Sequence, residues 1–279
     1  MTLPAKTRLF IESLKRTSPT RAIFIGEDGD IRARWNGLIL YSVFQPIVKA
    51  SSTDTVYGYE AFIRAIDSSN NRISPEQLFS KATDQDSITG LDRLCRTIHL
   101  LNFILNVDGH ELLFLNINEG FINAVDDNHG VAFRKVVDSL GFSPNRIVIE
   151  LPANLVKDSR RLHFVLQNYR LNSLEVAVNL DSTEDLKNVT ASTPVHYIKI
   201  NHSLILDADF KQKIQAVLIE NKEVNIVVTK NDLPITGIDS NRYFFQGYAY
   251  GRPEALTTVI SKDPSVELSI DEAFLQVGG

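Results

Sequence analysis

Seven short apolar runs between Val43 and Gln246 each stop at a polar or charged side chain: Glu60 in YGYEAF, Asn116 in LLFLNIN, Glu150 in IVIEL, Asp181 in VAVNLD, Lys199 in YIKIN, Thr229 in IVVTKND and Gln246 in YFFQGY. Glu60, Asn116, Glu150 and Asp181 offer hard oxygen donors of the kind Mg²⁺ prefers, and sites that process phosphates commonly hold metal in this way. A single carboxylate at a strand end usually does no more than pair with lysine or arginine. Four such donors at successive strand ends read as one site. Lys199, carried inside an apolar run, is expected to point toward those acids. The histidines fit no zinc spacing, and His99, among the leucines of a helical stretch, reads as a structural histidine.

A site of this kind needs strands whose ends converge. In a parallel α/β barrel the carboxyl ends of the strands meet at one mouth, and chemistry is assembled there from several strands. The periodicity agrees. Strand-like runs at 43–48, 56–63, 112–117, 146–151, 174–180, 195–200, 224–229 and 243–246 alternate, after the first pair, with helical stretches at 75–83, 87–106, 129–140, 154–170, 183–189, 203–220 and 254–260. The first two runs are too close for a crossover helix, so they are expected to pair as an antiparallel hairpin. The expected fold is therefore α/β, a modified (β/α)8 barrel over residues 41–260. Residues 1–40 read as an extension packed on it: a helix over 3–16, then AIFI and IRARW flanking GEDGD as a β-hairpin held down by Phe24 and Trp35. Residues 261–279 read as a tail.

Composition narrows the function classes. At 279 residues, 43% hydrophobic and 23% charged, the chain is long enough for one barrel, which needs about 250 residues. The net charge is −5 with no basic run, which argues against nucleic acid as a partner. The one cysteine, Cys95, falls in register with Leu91 and Ile98 on an apolar helix face and reads as core. No run approaches the ~18 apolar residues of a membrane span, and the N-terminal residues carry no signal-like apolar segment, so a soluble cytoplasmic protein is expected.

Six segments then identify a resemblance: FQPIV at 44–48, YEAFIR at 59–64, LFLNIN at 113–118, IVIEL at 147–151, PVHYIKIN at 194–201 and QGYAYGRP at 246–253 resemble, in order, the markers of the EAL domain. Members of that family are modified (β/α)8 barrels, and the active ones are bacterial phosphodiesterases that linearise cyclic di-GMP to pGpG with two Mg²⁺ or Mn²⁺ ions. The resemblance implies that Glu60 is the signature glutamate and a metal ligand, with Phe62 in place of the usual leucine, and that Asn116, Glu150 and Asp181 are the remaining ligand positions. It makes Arg64 the phosphate-contacting arginine, Lys199 the catalytic-site lysine, and Gln45, Gln246 and Arg252 ligand-binding residues.

The same comparison shows departures. Where active members carry an adjacent aspartate pair followed by Phe-Gly, this chain reads NLDST, with Asp181 as the one acid. The Glu-Gly-Val-Glu segment becomes Thr229-Lys230-Asn231-Asp232, Pro152-Ala153 stands for Thr-Glu, and Asn201 stands for aspartate. Loss of a general base typically costs about 10²–10⁴ in rate, and loss of a water-activating metal adds to that. The expectation is a degenerate phosphodiesterase in cyclic di-GMP signalling: a catalytically inactive receptor or regulatory protein that requires no cofactor and holds at most one weak Mg²⁺ or Ca²⁺. The alternatives are a weak metal-dependent phosphodiesterase and a protein-interaction module that no longer binds nucleotide. A protein partner and a homodimer both stay open.

Overall fold

Eight strands close on themselves. In this computed structural model, which describes residues 23–26, 28–124, 129–190, 195–235 and 241–256, the strands are β1 (Ile23–Ile25), β2 (Ile31–Trp35), β3 (Leu38–Lys49), β4 (Ser52–Ile66), β5 (Arg72–Ile73), β6 (Leu112–Asn116), β7 (Ile147–Leu151), β8 (Glu175–Leu180), β9 (Tyr197–Asn201), β10 (Asn225–Thr229) and β11 (Tyr243–Phe245). Their order is β1-β2-β3-β11-β10-β9-β8-β7-β6-β4-β5, and the further β3–β4 pairing closes the ring from β3 round to β4. Only Ala50 and Ser51 separate β3 from β4, so β3 is antiparallel to β4, as expected, and also to β11. The other ring neighbours pair in parallel.

Both first strands run well beyond their expected bounds. Asn36 and Gly37 take φ of 46° and 76° and form the tight turn that leads β2 straight into β3. The β1–β2 hairpin is thus a continuation of the barrel sheet that rises past the mouth, and its anchors in the core are Ile23 and Ile31. Trp35 packs against that core as expected, whereas Phe24 lies under the Arg34 guanidinium, 4.5 Å away.

The helices are α1 (Pro75–Phe79), α2 (Gln85–Asn106), α3 (Glu119–Ala124), α4 (His129–Leu140), α5 (Ser159–Leu171), α6 (Asp185–Thr190), α7 (His202–Ile205) and α8 (Ala208–Glu220). Two expected helices are each split by a capping aspartate. Asp158 accepts from Arg161 N and starts α5 after one 3-10 turn over Ala153–Lys157, and Asp207 accepts from Phe210 N and starts α8 after α7. The helix expected from residue 254 begins instead as extended chain, because Glu254 N and O bond the backbone of Phe44. Residues 257–260, and the helix expected over 3–16, lie outside the described residues. Among the described residues no helix is long and apolar enough to cross a membrane.

Helix α2 fastens the hairpin to the barrel. Asn102 accepts from Ile31 N at 2.7 Å and donates to Ile31 O at 2.8 Å, and His99 Nδ1 lies 2.7 Å from Ser42 Oγ. His99 and Cys95 are both buried, in line with the structural role expected for each. Burial, helped by the nearby Arg64 charge, pushes the imidazole down to about 3. Unfolding restores its ordinary value near 6.5, so His99 contributes stability that is fully present above about pH 6.5 and is lost as pH falls toward 3. Urea denaturation at pH 7 and pH 4.5 tests this: the wild type is expected to lose roughly 2–3 kcal/mol more than His99→Gln across that interval. Equal losses would show that the imidazole is protonated without cost in the fold.

Candidate functional site at the barrel mouth

Strand alternation builds the mouth in two layers. The lower layer is apolar: Ile47, Phe114, Val148, Ala177, Tyr197, Val227 and Phe244 fill the barrel and exclude water from beneath. Two residues further toward the mouth, the inward positions turn polar. Gln45, Glu60, Asn116, Glu150, Asn179, Lys199, Thr229 and Gln246 line a cavity of about 440 Å³. An adjoining cavity of about 370 Å³, between β4 and helices α1 and α2, shares Glu60, Phe62 and Asn116 with it.

The centre of the mouth is a buried ionic triad. Lys199 Nζ donates to Glu60 Oε2 at 2.7 Å and to Glu150 Oε1 at 2.6 Å. Glu60 also accepts from Gln246 Nε2 at 2.7 Å, and its Oε1 accepts from Asn116 Nδ2 at 2.6 Å. Gln246 Nε2 reaches Gln45 Oε1 at 3.2 Å, and Gln45 donates to Gly251 O at 2.9 Å. Burial penalises all three charges, but the outcomes differ. For Glu60, the Lys199 charge and the surrounding donors outweigh burial and hold its carboxyl below the usual range. For Lys199, the two carboxylates likewise outweigh burial and hold the ammonium charged. Glu150 has fewer donors and faces the Glu60 charge, so burial dominates and pushes it up to about 7.

These contacts bear on the metal. The Lys199 ammonium stands between Glu60 and Glu150 and already supplies the positive charge that a bridging dication would bring. Both Glu60 oxygens are engaged, and among the described residues no group of three His, Cys, Asp or Glu side chains is placed to hold a metal ion. Two carboxylates that share one ammonium, with the Asn116 amide beside them, are a sparse donor set for a pair of divalent ions.

The structure brings together Gln45, Glu60, Asn116, Glu150, Lys199 and Gln246. Asp181 is exposed, just past the end of β8, and does not line the cavity; Asn179 is the residue β8 turns into the mouth. The signal for Asn179 was the alternation Glu175, Ala177, Asn179 along the strand, whereas counting to the strand end selects Asp181. Arg64 lies further along β4, half-buried, donating to Ile63 O at 2.9 Å beside the Phe62 ring, outside the mouth lining. Arg252 stacks 4.5 Å from the centre of the Tyr248 ring, and Tyr248 does line the mouth. Thr229 Oγ1 donates to Ile200 O at 3.1 Å. The rim residues Lys230, Asp232 and Tyr248 come from the loops after β10 and β11, where no strand period marks direction.

No curated protein matches the chain in sequence. Among solved structures, the manganese and cyclic di-GMP complex of Klebsiella pneumoniae BlrP1 at pH 9.0 superposes with a TM-score of 0.58 at 17% identity, covering 76% of this chain and 55% of that one. The PaMucR phosphodiesterase in complex with c-di-GMP gives 0.57 at 17% identity, covering 77% of this chain and 92% of that one. BlrP1 with FMN and cyclic di-GMP and no metal ions gives 0.55 at 16% identity, covering 78% of this chain and 54% of that one. The chain therefore spans little more than half of the BlrP1 chain, and at these identities the likeness concerns the fold. Sequence carries the assignment further: a family model of the EAL domain matches residues 34–220, two thirds of the length. The chain belongs to the EAL domain family.

Proposed function

We propose that the barrel mouth binds cyclic di-GMP without hydrolysing it, so that the domain serves as a receptor or regulatory module in cyclic di-GMP signalling. The observation that carries this reading is the state of the mouth's acids: both buried carboxylates are ion-paired to one ammonium, and the strand end at which active relatives place a base is Thr229. A threonine hydroxyl does not accept a proton near neutral pH, and Glu150, although burial raises it into the range of a base, has its Oε1 taken up by the Lys199 ammonium rather than turned to water. Binding needs phosphate and base contacts, whereas hydrolysis needs a base and metal as well, so the two are separable. Arg252, stacked on Tyr248 at the rim, offers a guanidinium fork for phosphate oxygens, and Arg64, further along β4, offers a second one outside the lining. Lys199 supplies the internal counter-charge, so binding proceeds without added metal.

Calorimetry with cyclic di-GMP in EDTA, paired with a pGpG assay in Mn²⁺, tests both halves. Heat of binding with EDTA and no pGpG is expected. Turnover near the enzyme median of about 10 s⁻¹ would overturn the inactive reading and point to Asp232 on the rim as the base. No heat with or without Mg²⁺ would remove the receptor reading and leave a protein-interaction module.

A further inference from the structure

Just past the end of β10 the backbone adopts a conformation that a lysine ordinarily avoids. Lys230 has φ of 59°, in the left-handed region, where a Cβ is crowded and glycine alone sits without penalty. Such strain persists only where the surroundings over-determine it. They do so here through the next residue. Asn231 is fully buried, its Nδ2 donates to Val228 O at 2.7 Å and to Gln246 O at 2.9 Å, and its carbonyl accepts from Ala249 N at 2.9 Å. Gly247 comes so close that a Cβ there would lie 2.3 Å from Asn231 N and O. The loops after β10 and β11 are clamped together, and the clamp fixes Lys230 on the rim.

Held there, Lys230 is exposed and lines the mouth. Among the described residues lining the mouth there are two cations, Lys199 and Lys230. Lys199 is fully committed to Glu60 and Glu150, while Lys230 has no carboxylate within ion-pairing distance among the described residues. A dianionic ligand approaching this mouth meets two carboxylates that share the one Lys199 charge, and Asp232 on the rim, and positive charge at the entrance offsets what Lys199 leaves unbalanced. The geometry points to Lys230 as that charge: its ammonium contacts a phosphodiester oxygen of the bound cyclic dinucleotide and takes, at the rim, the part a divalent ion would otherwise play. This rests on the cyclic di-GMP reading above and adds a rim cation to the internal counter-charge of Lys199. A strained backbone that holds an uncommitted cation over the site is what distinguishes this from an ordinary surface lysine.

Titration with cyclic di-GMP in EDTA at low and high salt tests the assignment in wild type, Lys230→Gly and Lys230→Gln. Both variants are expected to bind about tenfold more weakly at low salt, with a flatter salt dependence, because one charge-assisted phosphate contact is gone. Lys230→Gly is also expected to raise the urea midpoint by releasing strain, while Lys230→Gln leaves it unchanged. Weaker binding by a more stable protein is a combination that a structural defect does not produce. Wild-type binding matched by both variants overturns the role of Lys230 alone. Wild-type protein that takes up no ligand sinks the receptor reading, and this one with it.

Discussion

Replacing Lys199 by methionine is expected to lower the unfolding free energy by about 3–5 kcal/mol at pH 7, because it leaves two buried carboxylates without their cation. Glu60 and Glu150 are 6% and 1% exposed, so water cannot make up the lost solvation. Methionine fills most of the lysine stem, which keeps cavity formation a small part of the cost. The pH dependence separates the electrostatic cause from simple loss of packing. In the variant both carboxyls are held above their ordinary values, so its stability is greatest below about pH 4.5 and is lost as pH rises through the raised values. In the wild type only Glu150 is raised, while Glu60 is lowered. The gap between the two proteins is therefore expected to narrow from pH 7 to pH 5 in urea titrations. A deficit of the same size at both pH values would mean that the loss is steric and that the triad carries no buried charge.

The same triad explains what the sequence could and could not tell. The barrel was legible because alternation and spacing are local: YIKIN and IVIEL announce their strands, and the short link between β3 and β4 forces the antiparallel start. Gln45, Glu60, Asn116, Glu150, Lys199 and Gln246 were legible as one site because parallel strand ends converge by construction. Asp181 and Asn179 show the limit. A side chain past the last ladder residue has left the pleat, so its charge draws attention while its direction is undetermined; the residue two back from Asp181 is the one the pleat turns inward. The split of α5 and α8 from their preceding turns was written in Asp158 and Asp207, each a capping residue followed by a helical run, but an unbroken apolar period hides a break of this kind. Lys230 was legible only as a lysine standing where the family carries glycine; its place on the rim was not, because it is imposed by Asn231 and Gly247, contacts between two loops that no period predicts.

Arg96→Met is expected to cost about 3–5 kcal/mol, and Asp92→Asn less, while the double variant recovers most of the loss. In sequence the two residues form an unremarked i,i+4 pair, yet in the fold both side chains are 2% exposed. Arg96 Nε donates to Asp92 Oδ2 at 2.8 Å, and its guanidinium lies between the Phe121 and Phe133 rings, 4.8 Å and 4.9 Å from their centres. Removing Arg96 leaves Asp92 with the Asn118 N–H, which donates to its Oδ1 at 3.1 Å. Removing the Asp92 charge leaves Arg96 with two aromatic faces, each of which keeps part of its stabilisation when water is excluded. That asymmetry sets the order of the two single variants. Asn118 connects the pair to the mouth, since it lies two residues past Asn116, whose amide holds Glu60. If the mouth binds cyclic di-GMP as proposed, Arg96→Met is expected to weaken that binding as well as the fold, and the double variant to restore both. Urea titration of the four proteins gives the coupling energy. Additive losses would show that Asp92 and Arg96 act independently, and that the aromatic box alone holds the guanidinium.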